Sequence, residues 1–141
     1  GLKAKDENIT IALSDPHGAA LYEYYAHGEL KSEGSSVAEG IGQGRITGNL
    51  EDAPIDRQYR ISDEEALVWV ERLLMDEGLC LGMSSGINVA GAIALGKELG
   101  PGSRVATILC DTGFRYLSSL YNAAWLREKG LPVFPWLDND G

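Results

Sequence analysis

Two neighbouring hydroxyls, Ser84 and Ser85, stand inside the stretch Gly82-Met83-Ser84-Ser85-Gly86, directly ahead of a run of small and apolar residues over positions 87–99. That run carries Ala90, Gly91, Ala92, Ala94 and Gly96 and reads as a fully buried helix. The first turn of a helix leaves backbone N–H groups unpaired and carries positive potential. A ligand can dock there, and a serine can serve either the backbone or the ligand. Capping needs only one hydroxyl, so spacing alone leaves helix cap and ligand contact open for this pair. Residues 82–86 also have the G-x-S-x-G form of a hydrolase nucleophile elbow. That chemistry needs a histidine and an orienting acid, and the elbow normally precedes both. The histidines are His17 and His27, and neither follows Ser84. A hydrolase is set aside on that ground.

Other segments could also touch a ligand. Glu39-Gly40-Ile41-Gly42-Gln43-Gly44 superficially resembles a dinucleotide fingerprint. The fingerprint needs a strand before it and a helix after it, and neither is evident here. A tight structural loop remains, or a loop whose glycines let the backbone approach a substrate. Asp111-Thr112 follows the apolar run at 104–110 and either holds a ligand or caps the next helix, with capping the preferred reading. Arg115 and Tyr116 read as surface and packing residues. Asp15 reads as the cap of a helix beginning at His17. In open α/β sheets, ligands bind beyond the carboxyl ends of strands. Residues 14–17, 82–85 and 111–113 each follow a predicted strand.

The elements that must position these residues alternate along the chain. Residues 8–13 (Asn-Ile-Thr-Ile-Ala-Leu) form a predicted strand stopped by Ser14-Asp15-Pro16. Residues 17–27 form a predicted helix ended by Gly28. Positions 30–51 are glycine-rich without periodicity and read as a long ordered loop. A short strand is expected at 59–61. Ser62-Asp63-Glu64-Glu65 is a capping box for a helix to Glu77, with Leu67, Val70 and Leu74 on its buried face and Gly78 at its end. Residues 104–110 (Arg-Val-Ala-Thr-Ile-Leu-Cys) make the best strand, a continuous apolar run expected where both sheet faces are covered. A helix is expected from about Tyr116, and residues 131–136 form an extended tail. Alternating strands and helices predict an α/β layer with a mainly parallel sheet.

Composition narrows the function classes. A net charge of −9 without a Lys/Arg cluster excludes a phosphate-backbone or anionic-membrane partner. Cys80 and Cys110 sit in apolar sequence and are expected to be buried thiols in a reducing compartment. No Cys/His spacing suits a metal. No apolar run reaches membrane-spanning length, and no signal peptide is visible. The chain opens on Gly1-Leu2-Lys3 rather than Met and reads as part of a larger protein.

The motifs, taken in order, resemble a known family. Ser14-Asp15-Pro16, Glu39-Gly40-Ile41-Gly42-Gln43-Gly44, Gly48-Asn49-Leu50, Gly78-Leu79, Gly82-Met83-Ser84-Ser85-Gly86 and Cys110-Asp111-Thr112-Gly113-Phe114-Arg115-Tyr116-Leu117-Ser118 look like the C-terminal portion of cysteine synthase. The likeness spans nearly the whole chain and rests on order and spacing. It implies a fold-type-II enzyme dependent on pyridoxal 5'-phosphate (PLP), with a three-layer α/β fold, a mainly parallel sheet flanked by helices. Such an enzyme is usually a cytoplasmic homodimer that makes cysteine from O-acetylserine and sulfide. Residues 1–141 would be the C-terminal part of its PLP-binding large domain, completed by the N-terminal half of the same enzyme.

By motif, Ser84 would hydrogen-bond the pyridine nitrogen of PLP, where a neutral hydroxyl at a helix N-terminus disfavours a protonated ring. Gly40 would lie in the substrate loop, its backbone facing the amino acid. Ser85 and Thr112 would stand one layer behind. The Schiff-base lysine and the phosphate loop of the family have no counterpart here: Lys3, Lys5, Lys31, Lys97 and Lys129 lie in no matching context. The resemblance therefore implies that this chain holds no catalytic residue and is inactive alone. Alternatives are a cystathionine β-synthase-like or serine/threonine dehydratase-like PLP enzyme and, in another class, a non-catalytic α/β binding module.

Overall fold

In the computed structural model, which describes residues 1–138, the sheet is anchored at Asp56. One carboxylate oxygen accepts the Ile11 N–H at 2.7 Å and the other accepts the Lys3 ammonium at 2.7 Å. Just beyond this anchor, strand β1 (Ala12–Pro16) pairs in parallel with β2 (Arg57–Ile61), in register from Ala12↔Arg57 to Pro16↔Ile61. β1 therefore lies four residues later than the pattern predicts. The side chain of Asp56 takes the Ile11 N–H, so the ladder begins after it. Ser14-Asp15-Pro16, expected to stop the strand, continues it. Pro16 occupies the last ladder position, and Asp15 turns its carboxylate forward onto the Tyr22 N–H at 2.9 Å. Asp15 thus caps a helix, as expected, but that helix is α1 (Leu21–His27) and does not start at His17. Gly28 closes α1 at φ 77°.

Parallel strands need a crossover. It comprises α1 and the loop over 30–51, which contains no helix or strand but is tied down. Val37 N–H donates to Asp63 Oδ2 at 2.9 Å, Tyr25 donates to the Leu50 carbonyl at 2.6 Å, and Ala20 N–H donates to the Gln43 carbonyl at 2.9 Å. At Gly42, φ is +82° and a Cβ would stand 2.8 Å from both Pro16 and Ala19, so only glycine fits the turn.

Helix α2 (Asp63–Glu77) follows its sequence signals closely. Ser62 accepts the Glu65 N–H at 3.2 Å, three acidic residues fill the first turn, and Gly78 closes the helix at φ 70°. Leu67 and Val70 are buried, while Leu74 is half-buried. Helix α3 (Met83–Leu99) begins four residues before the expected Ile87, because Gly82 holds the extended N-cap position and both serines wind into the first turn. It is buried through its first half, but Ile93 and Leu99 are exposed, so the fully buried reading holds only for the end near the serines. The core gathers Ile61, Leu67, Val70, Ile87, Leu126 and Phe134.

Several expectations fail toward the C-terminus. Residues 104–110 carry no regular secondary structure and join no strand ladder, and Ile108 is 73% exposed. A strand needs a neighbour, and no described residue supplies one. The helix expected from Tyr116 is replaced by a 3₁₀ turn at Gly113–Tyr116 and helix α4 (Ala123–Glu128), whose start is set by Asn122 accepting the Trp125 N–H at 3.1 Å. The tail at 131–136 is irregular and enters a 3₁₀ turn at Pro135–Leu137. Both cysteines are free, but Cys110 is exposed and Cys80 only half-buried, because the segment carrying Cys110 lies uncovered. No helix among the described residues is long and apolar enough to cross a membrane.

The architecture is α/β, a parallel sheet flanked by helices. Its tightest approach of a glycine to another element's backbone is predicted to be the most sensitive. A Cβ on Gly86 would lie 2.3 Å from the Ala66 carbonyl oxygen, whereas one on Gly96 meets only Val105 at 3.8 Å. Urea unfolding should show Gly86→Ala destabilising by about 1–3 kcal/mol and Gly96→Ala neutral or stabilising by up to about 1 kcal/mol.

Candidate functional site

The first turn of α3 faces the loop after the 104–110 segment, and the two are stitched together along their backbones. Gly82 N–H donates to the Asp111 carbonyl at 2.9 Å, Gly113 N–H donates to the Cys80 carbonyl at 2.9 Å, and Leu81 bridges antiparallel to Thr112. Close approach is required on both sides. A Cβ on Gly82 would meet the Tyr116 ring at 2.7 Å, and one on Gly113 would meet Cys80 Sγ at 2.6 Å and the Tyr121 ring at 2.7 Å. The Tyr121 hydroxyl donates to the Leu81 carbonyl at 2.7 Å and accepts the Leu81 N–H at 3.2 Å, fixing the approach to the helix.

Both serines are buried, Ser84 at 5% exposure and Ser85 at 0%. Neither caps the helix, since Gly82 occupies the cap without a side-chain bond. The question that spacing left open is thereby answered for the cap. Ser85 Oγ accepts the Cys110 N–H at 3.1 Å, a structural tie between the two loops. Ser84 Oγ donates to Asp111 Oδ1 at 2.9 Å. Asp111 Oδ2 accepts the Tyr116 hydroxyl. A serine hydroxyl has one hydrogen and two lone pairs. The hydrogen of Ser84 is on Asp111, and no described residue donates to its oxygen.

The electrostatics favour the carboxylate. The Tyr116 hydroxyl first, and the Ser84 hydroxyl after it, hold Asp111 below the usual carboxyl range against its partial burial. The Tyr116 phenol is raised by the same contact. The positive end of α3 acts in the same direction on an anion.

The remaining predicted site residues divide. Thr112 is exposed and accepts the Phe114 N–H at 3.4 Å, so it caps the 3₁₀ turn. Gly40 has φ 74° and open space where a Cβ would be. It makes no hydrogen bond to Ser84 among the described residues, yet its neighbour Glu39 lines a small cavity with Met83 and Tyr116, which puts the glycine loop beside the α3 turn. Sequence reasoning missed the Asp111 carboxylate as the partner of Ser84 and assigned Tyr116 to packing. The available signal was topological: residues 82–85 and 111–113 both follow predicted strands, the ends at which α/β sheets bind ligands.

Ser84 fits one part of PLP. It is a buried hydroxyl with unclaimed lone pairs and a proton it can redirect, the donor set that a ring nitrogen needs. Among the described residues, no lysine stands beside Ser84 for the rest of the cofactor. Lys3 pairs with Asp56 and Lys31 with Glu33, while Lys97 lies at the far end of α3 from Ser84.

Comparisons with known proteins bear on the cofactor. The sequence pattern of the family described as "Pyridoxal-phosphate dependent enzyme" matches residues 1–111. "Cysteine synthase 2" of Schizosaccharomyces pombe is 41% identical, over 92% of this chain and 36% of the relative. "Cysteine synthase 1" of Neurospora crassa is 45% identical, over 87% of this chain and 34% of the relative. A crystal structure of an O-acetylserine-dependent cystathionine β-synthase from Helicobacter pylori superposes with a TM-score of 0.73 at 33% identity, covering 84% of this chain and 36% of that one. The chain thus spans about a third of the length of the curated relatives it matches.

The Asp111 cluster yields a pH prediction. Its folded-state pKa lies below the unfolded value, so its contribution to stability is in place above roughly pH 4 and is lost as pH falls through the folded value. Tyr116→Phe removes the main cause of the depression. A carboxyl ¹³C titration should then place Asp111 higher, toward the ordinary range, and acid unfolding should begin at higher pH. An unchanged Asp111 titration would contradict the cluster.

Proposed function

This chain belongs to the pyridoxal-phosphate-dependent enzyme family, and from that premise we propose that it is the C-terminal part of the PLP-binding large domain of a cysteine synthase. On this reading the assembled enzyme makes cysteine from O-acetylserine and sulfide by β-replacement, and the N-terminal half of the same enzyme completes the site. The observation that carries the proposal is Ser84: a buried hydroxyl in the first turn of α3 that, among the described residues, bonds to Asp111 alone and accepts from none. PLP, when bound, acts as the electron sink of such reactions.

The residues of this chain bind and orient. Ser84 would hold the ring-nitrogen end. Its single hydrogen now lies on Asp111, so the hydroxyl either accepts from a protonated ring nitrogen or rotates its hydrogen onto an unprotonated one. In the second case Tyr116 keeps one Asp111 oxygen satisfied while the other is released. Ser85, through its bond from the Cys110 N–H, keeps the 110–111 loop against α3 and stands behind Ser84. Thr112 holds the turn that carries Tyr116 in place. The open glycine loop around Gly40 would present backbone to the amino-acid substrate, since no side chain at that position projects into it.

Cystathionine synthesis is the second reading, favoured by the likeness to the cystathionine β-synthase structure. Steady-state assays of the full-length protein separate the two: O-acetylserine with sulfide should outrun serine with homocysteine. Ser84→Ala in that protein should weaken PLP retention about tenfold, the loss of roughly 1–1.5 kcal/mol for one hydrogen bond, measured by dialysis and absorbance. Retention unchanged by Ser84→Ala would sink the assignment. The 141-residue chain by itself should show no cofactor adduct by intact mass after borohydride treatment, because no lysine stands at Ser84.

A further inference from the structure

The glycine loop is held at two places, and a single carboxylate holds the first. Asp63, the opening residue of α2, accepts the Ser36 hydroxyl at one oxygen and the Val37 N–H at 2.9 Å at the other. Ser36 Oγ in turn accepts the Ala38 N–H at 3.0 Å, so three successive residues hang from one side chain. The second place is Gly42, pressed against Pro16 and Ala19, with the Ala20 N–H donating to the Gln43 carbonyl at 2.9 Å. Gly40 lies between the two. A carboxylate only accepts hydrogen bonds, and the positive end of α2 stabilises one in its first turn. The same turn also seats α3. The Ala66 carbonyl oxygen, three residues on from Asp63, stands 2.3 Å from where a Cβ on Gly86 would lie, and Gly86 is two residues from Ser84. Beyond the clamp, Val37 and Glu39 line the small cavity with Met83 and Tyr116. One turn of α2 therefore carries both the glycine loop and the helix that bears Ser84.

We propose that Asp63 is a positioning residue: it fixes the gap between the Gly40 loop and Ser84, and with it the space in which the amino-acid substrate is held. This rests on the reading of Gly40 as the loop facing the substrate and of Ser84 as the partner of the ring nitrogen. Asp63 itself touches neither substrate nor cofactor; it acts through residues 36–38. The need for a clamp follows from the loop's composition. Gly40 and Gly42 both sit at positive φ, and glycine has more backbone freedom to lose than any other residue. A loop ordered only on binding takes its ligand more weakly than one ordered beforehand. Hydrogen bonds to a charged acceptor are about twice as strong as neutral ones, so a carboxylate is well suited to the task. A tie that served stability alone would act on substrate and cofactor binding together, whereas a positioning residue acts on the substrate.

Steady-state kinetics and hydrogen exchange on the full-length protein with PLP test this. Asp63→Ala should raise the KM for O-acetylserine about tenfold, as expected for the loss of a charge-assisted hydrogen bond, and leave kcat and PLP retention within about twofold. The amides of Val37 to Ile41 should exchange about tenfold faster or more. Asp63→Asn keeps an oxygen for the Val37 N–H and should fall between Asp63→Ala and the wild type. Ser36→Ala leaves α2 untouched and should move KM and exchange in the same direction, so it carries the test if Asp63→Ala does not fold. An unchanged KM in these variants would overturn the proposal. So would a KM that rises only in step with lost PLP, the mark of a general loss of structure. A wild-type protein that does not turn over O-acetylserine defeats the functional reading instead. The clamp is then decided by exchange alone: lost protection at 37–41 in Asp63→Ala supports it, and unaltered protection overturns it.

Discussion

Helix α3 can lie where it does only because two of its residues have no side chain. At Gly86 the Ala66 carbonyl of α2 fills the space a Cβ would need, and at Gly91 the Ser14 hydroxyl of β1 does the same. The helix is thereby pressed against its helical neighbour and the sheet at once. Glycine inside a helix costs about 1 kcal/mol in propensity relative to alanine, and close packing of the buried Met83, Ile87, Ala90 and Leu95 offsets it. Everything else at the site follows from that seat. The N-terminal turn of α3 is held against the 111–113 loop by backbone bonds, so two serines reach the segment that carries Asp111.

That turn combines a positive helix end, a carboxylate held ionised by Tyr116, and a serine whose hydrogen bridges them. The arrangement is strong where it is structural and adjustable where it is not. Ser85 is fully buried and committed to the backbone of Cys110, but Ser84 retains lone pairs and a rotatable hydrogen. A single hydroxyl of this kind suits the recognition of a heteroaromatic nitrogen in either protonation state. Which state is favoured depends on the balance between the helix end and Asp111, two opposed fields within one turn of each other.

Many local signals are legible in the sequence, although the Asn122 cap that sets the start of α4 is not among those the sequence reading identifies. The Ser62 capping box, the Gly28 and Gly78 helix ends, and the ordered glycine loop all appear as the residue types demand. Errors arose where a distant group decided the outcome. Asp56 moves the start of β1 by taking the Ile11 N–H through its side chain, and the two serines, whose role spacing leaves open, bond to Asp111 and Cys110 while Gly82 holds the cap of α3. The pattern at 104–110 is that of a buried strand, but a strand is a property of a pair. Serine spacing could not reveal Asp111 as the partner of Ser84, because those residues are brought together by two separate loops joined through the Leu81–Thr112 bridge. The family resemblance supplied the ring-nitrogen role, and the geometry added the carboxylate behind it.

The most direct measurement is a crystal structure of the full-length protein with PLP bound. Ser84 Oγ should lie at hydrogen-bond distance, about 2.7–3.2 Å, from the pyridine nitrogen, with Tyr116 still bonded to Asp111. A ring nitrogen paired with another residue, and Ser84 left on Asp111 alone, would contradict it.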